Sequence, residues 1–165
     1  MNIRFVDHID DPLSISRVYE LSWKYAYKGI VPQEYLDSIP VGKWAAHVDR
    51  EGMHSIVAVN DGDIVGTLSF CSSRWVKYSG YGEIVSIYLL PEFMGRGVGS
   101  RLLEFALCEL RNAGFGNVLL WVLEENHNAR CFYEKHGFVC SGDFIDDVIG
   151  GKELREIMYL RKLHS

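Results

Sequence analysis

Between residues 95 and 100 the chain reads Gly-Arg-Gly-Val-Gly-Ser, three alternating glycines set between a β-rich run and an amphipathic one. The chemistry open to such a junction is anion binding. Glycines let the backbone turn sharply and present successive N–H groups to a ligand, and a helix N-terminus adds about half a positive charge. A phosphate or pyrophosphate suits that site, with Gly95, Gly97, Val98, Gly99 and Ser100 offering main chain; Arg96 either adds a full charge or is a solvated loop residue. Spacing separates this loop from two familiar phosphate binders. A P-loop needs G-x-x-x-x-G-K-[ST], and no Lys stands at the right place; a dinucleotide fingerprint needs G-x-G-x-x-G after the first strand, whereas G-x-G-x-G here follows several. A tight strand-to-helix turn without a ligand is the remaining alternative.

The elements that must position this loop can be read from periodicity. Residues 3–6 form a short β-rich run, and Asp11-Pro12 offers an N-cap with Pro at the first helical position. Ile15, Val18, Leu21, Ser22 and Tyr25 then recur at helical spacing, giving one buried stripe until Gly29 and Pro32. Residues 33–50 predict two short helices divided by Pro40 and Gly42. Runs 55–59 and 64–71 read as strands around Asn60-Asp61-Gly62, a hairpin signal, and 81–90 as a third β run. After Pro91 the pattern turns helical, with Leu102, Leu103, Ala106, Leu110 and Ala113 on one face and Gly114 as the stop. Residues 117–122 have the continuous apolar character of a central strand covered on both sides. A short helix over 126–136 and strands over 139–144 and 154–160 complete the order β-α-α-β-β-β-α-β-α-β-β, an α/β (α+β) single domain over 1–165.

Composition narrows the partners. The chain has 165 residues, 48% of them apolar, and a net charge of −5; its pI near 5.7 argues against nucleic acid, which requires a clustered basic surface. The longest unbroken apolar run, at 118–123, falls far short of the roughly 20 residues a membrane span needs. No apolar h-region opens the sequence, and Cys71, Cys108, Cys131 and Cys140 show no C-x-x-C spacing, so the expectation is a cytoplasmic protein with reduced thiols and no metal. Glycine is the outlier, at 16 of 165 against about 7% in ordinary proteins.

Two separated stretches carry a resemblance. Residues 83–100, EIVSIYLLPEFMGRGVGS, and residues 126–138, NHNARCFYEKHGF, together resemble the acetyl-CoA-binding half of the GNAT superfamily of N-acetyltransferases. The close match covers residues 83–140, and the element order fits over the whole chain. The resemblance implies a mixed, mostly antiparallel central sheet of six to seven strands flanked by helices, whose splayed central strands form an acyl-CoA cleft. It also implies acetyl-CoA as cosubstrate. One departure is Met94, where the family's loop usually begins with Gln or Arg; because the pyrophosphate is generally held by backbone N–H groups, the change should weaken binding without abolishing it.

Roles follow residue by residue. An alkyl amine titrates near 10.4, so attack on a thioester at pH 7 needs a base. Glu83 matches the strand-borne base of histone acetyltransferases in the superfamily; the alternative is a solvent-facing Glu at a strand start. Period-two alternation places Glu83, Val85, Ile87 and Leu89 on one face. Tyr133 stands where the family keeps the acid that protonates the departing thiolate, though Phe132 and Tyr133 also suit a packed core. Asn126 resembles the cofactor-contacting Asn and is equally a helix N-cap; Ala129 belongs to the same motif. The main chain of Ile87, Tyr88 and Leu89 would pair with the pantetheine arm, an N–H near Leu89 polarising the carbonyl. Attack would be direct, since Cys131 lacks a paired His.

The acceptor is less defined. Ribosomal-protein N-terminal acetyltransferases usually place a Glu where this chain has Trp121, which lowers the chance of that activity. Trp23, Tyr27, Glu34 and Asp146 lie in the segments from which the family builds its acceptor pocket, and aromatics with carboxylates suit a cationic amine. The expectation is therefore transfer to a primary amine of a small molecule, polyamine-like, amino sugar or amino acid. A non-catalytic acyl-CoA sensor or regulatory domain and a protein N-acetyltransferase are the alternatives. Trp75, Tyr78 and Tyr81 suit either a substrate wall or a homodimer contact.

Overall fold

The computed structural model describes residues 1–48 and 50–164. Its elements follow the predicted order: β1 (Asn2–Phe5), α1 (Pro12–Ala26), α2 (Gln33–Asp37), β2 (His54–Asn60), β3 (Asp63–Ser72), β4 (Gly82–Leu89), α3 (Val98–Asn112), β5 (Asn117–Leu123), α4 (His127–Lys135), β6 (Val139–Ile149) and β7 (Lys152–Lys162). The strands form one seven-stranded sheet in the order β1-β2-β3-β4-β5-β7-β6, antiparallel except where β4 meets β5.

The local signals explain most boundaries. Asp11 caps α1, its carboxylate accepting from the Leu13 N–H at 3.0 Å. In α3 the residues Val98, Leu102, Leu103, Ala106 and Leu110 are buried at helical spacing, while Ala113 is an exposed cap beyond the helix end. Residues 33–50 yield less helix than expected. Among the described residues of this stretch only α2 and a single 3-10 turn over Ala45–His47 form, with Pro40 and Gly42 between them. The intervening loop is held to α1 by side chains: Glu20, buried, accepts from Ser16 Oγ at 2.6 Å and from the Gly42 N–H at 3.0 Å. Tyr25 departs from the predicted buried stripe and is 61% exposed.

Strands β6 and β7 are longer than their apolar runs, since Asp146 pairs with Arg155 and Asp147 with Leu154 in the ladder. Their connection is Gly150-Gly151 with φ of 60° and 84°, a pair of positive values that a two-residue hairpin turn requires. This tip packs closely on α2: a Cβ on Gly150 would stand 2.6 Å from Tyr35 Cβ.

Helices cover both faces of the sheet. Toward α3, a Cβ on Gly66 would meet Leu102, and Ile84, Leu102, Leu103, Leu120, Tyr133 and Phe138 share the main core. On the other face, the Tyr19 hydroxyl of α1 lies near Ser69 and Ser86, and Leu123 and Leu154 pack with Val31, Leu36 and Ile39. Among the described residues no helix is long and apolar enough to cross a membrane. The four cysteines are unpaired thiols.

Candidate active site

The site begins where the two central parallel strands part. Strands β4 and β5 pair only from Gly82 to Ile84 against Val118 to Leu120. The next residue, Val85, is the extra residue of a bulge, since Ile84 faces Phe70 and Ser86 faces Ser69 on β3. A bulge bends its strand and increases the local twist, so β4 turns away from β5 at the residue where their pairing stops. The edge of β4 beyond Ile84 is left without a strand neighbour, and a cleft of about 540 Å³ opens between Val85–Leu89 on one side and Trp121–Leu123 on the other.

The bulge also corrects the predicted alternation. Glu83 pairs with Cys71, whereas Ile87 and Leu89 pair with Leu68 and Gly66, on the opposite face toward α3. Glu83 therefore shares its face with Ser86 and Tyr88 on the α1 side. A period of two assumes an uninterrupted pleat, and one inserted residue reverses every later side chain.

At one end of the cleft lies the glycine loop. Gly97, with φ of 81°, is the N-cap of α3 and offers no side chain to its N–H groups. The first α3 main-chain bond outside the helix runs from Arg101 to Gly97, and the N–H groups of Gly95 through Ser100 find no partner among the described residues. A row of unpaired N–H donors at a fifteen-residue helix start fits a pyrophosphate. Met94, Gly95, Gly97, Gly99 and Ser100 line the cleft here. Arg96 and Val98 do not: Arg96 is exposed with its guanidinium over the Phe93 ring, and Val98 is buried in the core. Lys135, which sequence reasoning passed over, lines the cleft from the last turn of α4, next to His136, whose Nε2 is 2.9 Å from Ser100 Oγ.

Along the middle of the cleft wall stand Ile87, Tyr88, Leu89, Asn126, Ala129 and Tyr133. Asn126 caps α4, accepting from the Ala129 N–H at 3.2 Å, and lines the cleft as well. Burial, with the Tyr88 phenol adding to it, pushes the Tyr133 phenol well above its ordinary range. Its proton is held until a stronger base than water asks for it. Burial likewise pushes Tyr27 up to about 12, with Tyr133 and Glu156 nearby adding to the shift.

The far end holds the aromatic residues and a carboxylate the sequence reading missed. Trp23 and Tyr27 line the cleft with rings 4.7 Å apart. Glu34 and Asp146 do not. Glu34 is exposed on α2, whose buried residue is Leu36, and Asp146 is drawn outward into a pair with Arg155 at 2.9 Å. The carboxylate on the wall is Glu156 of β7, paired with Leu123 and facing the same side as Trp121. Burial raises its pKa, Asp147 adds to the rise, and Arg74 draws it back. Its signal was available: Leu154, Glu156 and Met158 alternate on one face, an acid between two buried apolar residues.

Glu83 is absent from the cleft wall. It is 1% exposed and fully engaged, accepting from the Arg74 N–H at 3.0 Å and from the Arg74 guanidinium at 2.6 Å. Through these bonds it fixes the loop over 73–81, whose Trp75 packs against the cleft residue Trp121 with ring centroids 4.9 Å apart and planes tilted by 48°. Among the described residues no group of His, Cys, Asp or Glu could hold a metal ion.

The acetyltransferase (GNAT) family matches residues 15–138. An uncharacterised N-acetyltransferase of Archaeoglobus fulgidus is 34% identical over 139 residues, covering 81% of this chain and 89% of its own. A spermidine N(1)-acetyltransferase of Thermoplasma acidophilum is 26% identical over 158 residues, covering 92% and 93%. Among solved structures, a PaiA N-acetyltransferase of Thermoplasma acidophilum in complex with coenzyme A superposes with a TM-score of 0.77 at 23% identity over 99% of this chain and 100% of that one. With the splayed strands, the N–H-rich loop and the matched sequence in agreement, the chain belongs to the GNAT family of N-acetyltransferases, which use acetyl-CoA as acyl donor.

Proposed function

We propose that the protein transfers the acetyl group of acetyl-CoA by direct attack to a primary amine of a small molecule. The observation that carries this reading is the charge polarity of the cleft. Its only charged lining residues among those described are Lys135, beside the phosphate loop, and Glu156, at the aromatic end. Lys135 and the free N–H groups favour the polyanionic donor at one end. Glu156 with Trp23, Tyr27 and Trp121 favours a cation at the other, because a carboxylate and aromatic faces both attract an ammonium. The relative named a spermidine N(1)-acetyltransferase supports the same class of acceptor.

The chain's own groups supply the remaining steps. The unpaired edge of β4 at Ile87–Leu89 offers main-chain donors and acceptors to the pantetheine arm, in the way an exposed strand edge receives an extended peptide. Tyr133, protonated and on the wall, gives its proton to the leaving sulfur. Cys131 of α4 is exposed and does not line the cleft, which favours direct attack over a covalent acyl-enzyme.

The test is a panel of polyamines, amino sugars, amino acids and anionic amines, scored for acetyl-CoA-dependent release of free thiol. Turnover concentrated on cationic amines supports the proposal. A preference for anionic acceptors, or acetylation of proteins alone, overturns it.

A further inference from the structure

We infer that Glu156 on β7, not Glu83 on β4, is the carboxylate that receives the acceptor ammonium and takes its proton, and that Glu83 serves by holding Arg74 beside it. The inference rests on the proposed amine acetylation and assigns its base. Three observations carry it.

The first is access. A base must come within hydrogen-bond reach of the nitrogen it deprotonates, directly or through one water. Glu156 lines the cleft and Glu83 does not. The register places Glu156 opposite Leu123, on the same face as Trp121, and next to the end at which the strands have separated.

The second is availability. Every oxygen of Glu83 is engaged by Arg74: Oε1 by the main-chain N–H and Nε, Oε2 by Nε and Nη2. Protonating it would break a buried ion pair, which is costly when only one partner is removed. Glu156 makes no side-chain hydrogen bond or ion pair within the described residues.

The third is the setting. The groups facing Glu156 are Arg74 from the loop over 73–81, Asp147 from β6 and Tyr27 just past the end of α1. Burial and Asp147 make the carboxylate a better proton acceptor than it would be in water, and Arg74 limits that rise.

The step balances. The bound ammonium gives one proton to the Glu156 carboxylate, and the freed lone pair forms the C–N bond to the acetyl carbonyl carbon. The C–S bond breaks, sulfur leaves with its electron pair and takes the Tyr133 proton, and the second proton shed by nitrogen restores Tyr133. Release of the first proton from Glu156 to solvent completes the cycle.

The experiment compares Glu156→Gln, Glu156→Asp and Glu83→Gln with the wild type, using spermidine and the remaining amines of the panel as acceptors. Thiol release is measured against pH, and acetyl-CoA affinity by calorimetry. Glu156→Gln is expected to lower kcat about 100-fold or more, with acetyl-CoA affinity within about twofold and the acidic limb of the kcat/KM profile lost; Glu156→Asp should recover part of the rate and the limb. Glu83→Gln should keep the acidic limb. Wild-type turnover that survives Glu156→Gln with the limb unchanged overturns this inference alone. A wild type that turns over no amine overturns the functional proposal and this inference with it.

Discussion

Arg74 joins Glu83 through two atoms of its own side chain and through its main-chain N–H, with Nη2 2.6 Å from a carboxylate oxygen that solvent does not reach. The pair ties the loop over 73–81 to β4, while Trp75 on the same loop rests on Trp121 of β5. One loop is thus fastened to both strands at the place where they diverge.

Removing Arg74 should therefore be felt as stability. Arg74→Met leaves a buried carboxylate unpaired, an error that typically costs about 3–5 kcal/mol, softened here because the Arg74 side chain is itself 49% exposed and water can follow. Denaturant unfolding is expected to show a loss of about 2–3 kcal/mol. An unchanged midpoint would contradict the pairing.

Glu156 should act on stability in the opposite sense. Its pKa is raised in the folded state by burial and by Asp147, so the native protein binds the proton more tightly than the unfolded chain. Stability from this group is then fully present below the ordinary carboxylate value near about 4.3 and is lost as pH rises through the folded value. Glu156→Gln removes that penalty. The variant should melt higher than the wild type at pH 7 and converge with it toward pH 4, as thermal melts across pH would show; a variant equally shifted at every pH would contradict the burial.

Much of this was legible in the sequence, for physical reasons. Alternating glycines before an amphipathic helix marked the candidate phosphate loop because a run of free N–H groups needs a backbone without obstructing side chains. The order of elements followed from periods of 3.6 and two. The face of Glu83 did not, because a single bulge at Val85 reverses the alternation and nothing in that residue's type announces it. Glu34 and Asp146 were reasonable as acids near an expected pocket, yet exposure and the Arg155 pair turn them to solvent. Glu156 was detectable as a charge on an apolar row. Its place across from Leu123 needed the pairing of β5 with β7, which is non-consecutive in the chain.

The glycine loop predicts a discrimination between ligands. Gly97 has φ of 81°, and an L-residue held in the left-handed region costs about 1–2 kcal/mol. Relaxing that turn in Gly97→Ala should disperse the N–H row. Calorimetry is expected to show CoA affinity falling about tenfold, the equivalent of about 1.4 kcal/mol, while pantetheine, which lacks the pyrophosphate, binds as before. Equal losses for both ligands would place the effect elsewhere.

Tyr133→Phe tests the proposed acid. The ring continues to fill its buried place between Phe132 and Phe138, so fold and acetyl-CoA affinity should persist. A general acid contributes typically about 10²–10⁴-fold, and kcat is expected to fall by at least the lower figure. Stopped-flow single-turnover measurements separate this from slow product release. An unchanged chemical step would remove Tyr133 from the reaction.

Acetyl transfer to a small cationic amine is measured by incubating the wild-type protein with acetyl-CoA and the amine panel and following both free thiol and the acylated amine by mass spectrometry. Equal amounts of the two products are expected, with cationic small amines preferred over anionic ones and over protein lysine. Calorimetric binding of acetyl-CoA without thiol release or acetylated product from any amine would contradict it.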